Sequence, residues 1–126
     1  MSKILIIESE AGLLSTLSEE LEQDGYLVDL SATGGEALRK LVNKPDLIIL
    51  DGLLSDVDGL VLLAKIRADK DAKEIPVIFL LESGDESRAV SADDLGVARN
   101  IVKTHNGLRG IMMAVEEILG KKKNDD

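Results

Sequence analysis

Three short runs of uninterrupted aliphatic residues constrain the fold of this chain more than any other feature: ILII at residues 4–7, LIIL at 47–50 and VIFLL at 77–81. Successive side chains of a strand point to opposite faces of its sheet. A strand is therefore apolar at every position only when both faces are covered, as in parallel sheets flanked by helices. None of the runs approaches the ~20 residues of a membrane-spanning helix. Two fainter segments at 26–30 and 99–103 complete a set of five predicted strands, the others spanning 3–8, 46–51 and 76–81.

The stretches between the strands place apolar residues three and four apart, the helical period. Leu14, Leu17 and Leu21 form one stripe, closed by Gly25. Residues 36–42, 60–67 (Leu63 and Ile66 inward), 86–95 and 108–119 read as further helices, the last with Leu108, Ile111, Met112, Val115, Ile118 and Leu119 on its apolar face. Met112-Met113 reads as helix packing before a binding surface. The 86–95 segment has the thinnest apolar face, with small residues and the adjacent Asp93-Asp94. Asn106 fits the N-cap of the last helix, in which Gly107 and Gly110 each cost about 1 kcal/mol of propensity against Ala. Gly120 ends it, leaving a polar tail at 121–126 after one domain at 1–120. Alternating strands and helices with right-handed crossovers predict an α/β fold, a doubly wound five-stranded parallel sheet.

Composition excludes several classes of function. The 126 residues are enough for one domain core, and a net charge of -9 opposes direct contact with nucleic acid or a membrane surface. Aromatic residues make up 2%, too few for base-stacking platforms. The absence of cysteine removes thiolate metal sites and cysteine nucleophiles, and the N-terminal apolar run lacks the length and cleavage pattern of a signal peptide. A cytoplasmic location is expected. Gly34-Gly35 matches no nucleotide-binding glycine pattern and reads as a helix-entry turn. The single histidine, His105, has no nucleophile placed with it.

In doubly wound sheets ligands meet the carboxyl ends of the central strands. Those ends carry Glu8, Ser9 and Glu10 after the first strand, Asp51 after the third and Lys103 after the fifth, so carboxylates and one ammonium converge on a single rim. Asp56 and Asp58 look like an acidic continuation of that rim, although Asp58-Gly59 is better read as the turn into the third helix.

The segments KILIIESE, PDLIILD with Asp58-Gly59 beyond it, IPVIFLL and LGVARNIVK, in that order and spacing, make the chain resemble the receiver domain of two-component response regulators from Lys3 to about Leu119. The resemblance implies the flavodoxin-like strand order 2-1-3-4-5. It implies Asp51 as the phosphoacceptor position and Lys103 as the cation for a phosphoryl oxygen. It further implies Mg²⁺ held by Glu8, Asp51 and the backbone carbonyl of Leu53. A histidine kinase as phosphodonor follows, with a protein partner on the face formed by the fourth helix, fifth strand and fifth helix.

The departures from the family pattern are equally informative. Ser9 stands where a second acidic metal ligand is usual, so Mg²⁺ is expected to bind weakly. Leu81 replaces the phosphoryl-binding hydroxyl, and Asn100 replaces the aromatic switch residue. Thr104 replaces a proline that follows the lysine in a cis bond. A cis bond to a non-proline residue costs roughly 2.5–4 kcal/mol, so a trans bond is expected, leaving Lys103 free to point elsewhere. Glu8 and Lys103 can alternatively form a structural ion-pair cluster with Asp51, and Gly52 adds local freedom with no evident purpose. The expectation is a receiver with a degenerate phosphorylation and switch site, a pseudo-receiver acting as a protein-protein interaction module. The alternative is a working phosphorelay receiver. An aspartyl-nucleophile phosphatase of the haloacid dehalogenase type needs an acid two residues after the first aspartate, and Leu53 stands there.

Overall fold

The computed structural model describes residues 1–104 and 107–120. Five parallel strands, β1 (Lys3–Ile7), β2 (Leu27–Ser31), β3 (Leu47–Asp51), β4 (Val77–Leu81) and β5 (Arg99–Val102), lie in the order β2-β1-β3-β4-β5. They alternate with helices α1 (Ala11–Gln23), α2 (Gly34–Lys40), α3 (Gly59–Ala68), α4 (Glu86–Asp94) and α5 (Gly107–Leu119), with a 3-10 turn at Leu41–Asn43. This is the doubly wound, flavodoxin-like fold that the sequence predicts. Asn106 as an N-cap, His105 and the tail at 121–126 lie outside the described residues.

The continuous apolar runs form β1, β3 and β4, in which every residue but Lys3 is buried. Alternation divides each strand between two cores. Leu5, Ile7, Ile48, Leu50, Phe79 and Leu81 pack with Ala37 of α2, Leu62, Leu63 and Ile66 of α3, and Ala92 of α4. Ile4, Ile6, Leu47, Ile49, Ile78 and Leu80 pack with Leu17 and Leu21 of α1 and Ile111, Ala114 and Val115 of α5. Each fully buried aliphatic side chain contributes roughly 1.5–3 kcal/mol of transfer free energy. The central strands therefore carry most of the stabilisation, and the partly exposed edge strands β2 and β5 are the faint ones in the sequence.

Element ends differ from the predicted ones by a residue or two, for local reasons. β3 begins at Leu47 because Asp46 is engaged with β1, its carboxylate accepting from the Lys3 amide at 2.8 Å. α2 begins at Gly34: the Thr33 hydroxyl accepts from Glu36 N–H, and the Asp56 carboxylate accepts from the Gly34 and Gly35 amides at 2.9 and 3.3 Å. Asp56 thus caps a helix rather than extending the acidic rim. Asp58 is the N-cap of α3, its carboxylate accepting from Leu60 N–H at 2.7 Å. α4 forms as expected but buries only Ala92. In α5, Met112 packs on the core while Met113 is 54% exposed, so only the first of the pair is packing. Gly107 has a steric reason to lack a side chain, since a Cβ there would sit 3.0 Å from the Val102 carbonyl. Among the described residues no helix is long and apolar enough to cross a membrane.

Candidate functional site

The register of the sheet assembles the site. Ile7 pairs with Leu50, Asp51 with Leu80 and Leu81 with Val102, so the residues leaving β1, β3, β4 and β5 emerge along one edge. Asp51 is the last residue of β3 and only 3% exposed; Glu8, just beyond β1, is fully buried. The Lys103 ammonium lies 3.2 Å from Asp51 Oδ1, 3.5 Å from Glu8 Oε2 and 3.4 Å from Glu82 Oε2. No peptide bond among the described residues is cis, yet Lys103 enters the pocket. The expectation that a trans bond leaves it free to point elsewhere is corrected: the lysine backbone is already placed by its N–H bond to the Leu81 carbonyl, and three carboxylates attract its side chain.

This cluster is electrostatically lopsided. Burial pushes the Glu8 carboxyl up to about 7, the Asp51 carboxylate pushes the same way, and the Glu10 amide and Lys103 offset only part of this. Burial alone would lower the Lys103 ammonium, but Glu8, Asp51 and Glu82 outweigh it and hold it above the ordinary lysine range. Glu8 Oε2 accepts from Glu10 N–H at 3.2 Å, whereas buried Oε1 has no hydrogen-bond partner. One ammonium thus serves two buried carboxylates and a third that is half exposed.

The loop after β3 is held tightly. Leu53 N–H donates to Asp51 Oδ1 at 3.1 Å, and Leu53 bridges to Asp58. Gly52 now has a clear role: a Cβ there would lie 2.9 Å from the Leu80 carbonyl and 3.1 Å from the Phe79 ring. Gly59 is tighter still, its notional Cβ falling 2.4 Å from the Asp51 carbonyl, which lets α3 start directly against the end of β3. The Gly52 carbonyl accepts from Gly59 N–H at 3.0 Å and from Arg88 Nη2 at 2.6 Å.

Three of the positions expected to depart from the family pattern, Ser9, Leu81 and Asn100, each have defined partners. Ser9 Oγ donates to the Ala32 carbonyl at 3.2 Å and accepts from Ser55 N–H at 2.9 Å, joining the loops after β2 and β3. Glu10 is exposed at the start of α1. Leu81 is buried in the α2–α4 core. The Asn100 amide donates to Asp93 Oδ1 at 2.7 Å and to the Ala89 carbonyl at 3.3 Å, tying β5 to α4.

Sequence reasoning missed two residues of the site. Glu82 directly follows β4 at the same sheet edge, and that position was a usable signal. Arg88 lies on α4 and reaches back over the loop after β3, where its guanidinium also binds Asp58 through Nη1 at 3.0 Å and Nη2 at 2.9 Å. Only the fold reveals that reach. The Arg88 guanidinium in turn holds the Asp58 carboxyl below its ordinary value.

Residues 4–115 match the model of the response regulator receiver domain. The chain is 35% identical over 104 residues to the phosphate regulon transcriptional regulatory protein PhoB of Rhizobium meliloti, covering 82% of this chain and 46% of that protein. It spans about half the length of the curated relatives it matches. Among solved structures, the non-phosphorylated HemR receiver domain of Leptospira biflexa superposes with a TM-score of 0.86 at 31% identity, covering 98% of both chains. The Mn²⁺-bound form of response regulator Rcp1 superposes with a TM-score of 0.80 at 25% identity, covering 94% of each.

Proposed function

Because this chain belongs to the response-regulator receiver family, we propose that it works in two-component signalling as a protein-protein interaction module whose docking face is set independently of phosphorylation. The observation that carries this reading is Asn100. Its amide is bonded to α4 at Ala89 and Asp93, where the family's coupling needs a mobile aromatic ring, and Leu81 offers no hydroxyl to start that motion. Phosphorylation shifts a domain only by its differential affinity for two conformations, and in this reading the Asn100 bonds to Ala89 and Asp93 hold α4 in one of them.

The proposed partner surface is the face of α4, β5 and α5. Val90, Val102 and Met113 are exposed, one from each element, and the Arg99–Glu117 ion pair at 2.9 Å links β5 to α5. Aliphatic side chains rimmed by charge suit a protein partner better than nucleic acid, as does the net charge of -9. We place this module in the cytoplasm. The test is nuclear magnetic resonance with a beryllofluoride phosphoryl mimic at Asp51: amide shifts are expected near the acceptor and not across β5 and α5. Large shifts throughout β5 and α5 would overturn the reading.

A second reading, a phosphorelay receiver modified at Asp51 by a histidine kinase, is favoured by the convergence of Asp51, Glu8 and Lys103. A divalent ion suits the donor set in part. The orphaned Glu8 Oε1, the Asp51 carboxylate and the Leu53 carbonyl are the oxygens that would hold Mg²⁺, which supplies positive charge to offset an attacking carboxylate. Ser9 contributes no charge, and its hydroxyl is bonded elsewhere. The native dissociation constant for Mg²⁺ is therefore expected above ~1 mM, with Ser9→Asp tightening it about tenfold in a calorimetric titration. Unchanged affinity in Ser9→Asp would remove position 9 from the metal site.

A further inference from the structure

The acceptor pocket has lost the hydroxyl that its family places at the end of β4, but it has acquired a cation on α4. We propose that Arg88 is a phosphoryl ligand of the Asp51 site, held in reserve on Asp58 and taking over the role that Leu81 cannot perform. This rests on the second reading above, that Asp51 accepts a phosphoryl group.

Three observations converge on Arg88. Its Nη2 is 2.6 Å from the carbonyl of Gly52, the residue directly after the acceptor, so the guanidinium lies at the mouth of the Asp51 pocket. Its two terminal nitrogens are occupied by Asp58 and that carbonyl, while Nε is buried with no hydrogen-bond partner. Asp51 is also among the carboxylates that raise the Arg88 guanidinium, after Asp58 and Asp85, so the two charges already interact. A planar guanidinium presents five donors and binds phosphoryl oxygens in pairs, which a hydroxyl cannot do.

Lys103 alone is poorly provided for this task, since it already serves three carboxylates. A phosphoryl group on Asp51 adds further negative charge, and the guanidinium, bonded to Asp58 and to the carbonyl of the residue after Asp51, is the cation that both can draw on. Arg88 then turns from Asp58 towards the phosphoryl oxygens, while Asn100 keeps α4 attached to β5. The side chain moves and the helix stays.

The chemistry is a simple displacement. With a small acyl phosphate as donor, an Asp51 carboxylate oxygen attacks phosphorus and forms the new P–O bond. The bond from phosphorus to the donor's carboxyl oxygen breaks, and that carboxylate leaves with the electron pair. No proton is transferred. Arg88 offsets charge on the non-bridging oxygens as they gather in the pocket.

The experiment follows phosphoryl-Asp51 formation from acetyl phosphate with Mg²⁺ by intact-protein mass spectrometry. Native protein, Arg88→Ala, Arg88→Lys and Asp58→Asn are compared, each first checked for native melting behaviour. Arg88→Ala is expected to slow formation about tenfold, with Arg88→Lys intermediate. Asp58→Asn retains an N-capping side chain but releases the guanidinium, and is expected to be faster than native. Guanidinium ion added below denaturing concentration should restore much of the Arg88→Ala rate, an effect that a merely structural loss would not give. Native protein that is modified at the same rate as Arg88→Ala overturns the proposal alone. Native protein that is never modified overturns both the proposal and the phosphorelay reading.

Discussion

Lys103→Met is expected to destabilise the domain by about 3–5 kcal/mol at pH 8 in metal-free buffer, the cost of leaving buried carboxylates without their cation. Methionine keeps an unbranched apolar stem of similar length, so the substitution removes charge with little change in packing. Glu8 and Asp51 are both almost completely buried, and Lys103 is the ammonium within 3.5 Å of each. The loss should shrink towards pH 5, because protonation of Glu8 then removes one of the two charges. Mg²⁺ should also recover more stability in the variant than in the native protein, since a divalent ion can replace the missing charge. Urea denaturation at pH 5 and pH 8, with and without Mg²⁺, gives the four stabilities required. A loss below ~1 kcal/mol at pH 8 would mean that the carboxylates are stabilised by something other than the lysine.

The architecture was legible because its central strands are buried on both faces, which leaves a signal with no competing interpretation: runs such as LIIL and VIFLL cannot lie on an exposed surface. The helix at 86–95 was weaker for the complementary reason, since it buries little besides Ala92 and is held by polar links from Asn100 and Arg88. Links of that kind have no periodicity. Boundaries were displaced where side chains from distant segments cap an element, as Asp56 does for α2.

At the site, the strand-end rule found Glu8, Asp51 and Lys103 because main-chain direction alone delivers them to one edge. The same rule covers Glu82, but the resemblance drew the reading to Leu81 beside it. Arg88 was beyond reach, because a long side chain on a helix can point in many directions and only Asp58 and Gly52 decide among them. Lys103 carries the opposite lesson. The missing proline suggested a displaced lysine, yet a hydrogen bond from its own N–H to Leu81 and the pull of three carboxylates put the ammonium in the pocket.

Glu8→Gln is expected to stabilise the domain by about 3 kcal/mol at pH 8 while leaving it nearly unchanged at pH 4. The cause is the raised carboxyl of Glu8, held at about 7 against an unfolded value of 4.5 by burial and by Asp51. A carboxyl raised on folding is protonated more readily in the native state than in the unfolded one. Between pH 4.5 and 7 the native state therefore binds the extra proton, and stability falls as pH rises. Below this window both states are protonated. Above it both are ionised and the full penalty is in place, roughly 1.4 kcal/mol for each tenfold difference in proton affinity between the two states. Asp29, Asp56 and Asp58 are lowered and slope the other way, losing their contributions as pH falls, so the native curve alone is ambiguous. The difference between native and Glu8→Gln isolates the one group. Glutamine keeps the size of the side chain and an oxygen to accept from Glu10 N–H, while the lysine retains Asp51 and Glu82 as partners. Chemical denaturation in chelator at half-unit steps from pH 4 to pH 8 should give a difference that rises through the window and is flat beyond it. A Glu8→Gln protein that is less stable than native at pH 8 would show that the Lys103 pair outweighs the desolvation of Glu8, and that the cluster holds two ionised carboxylates at neutral pH.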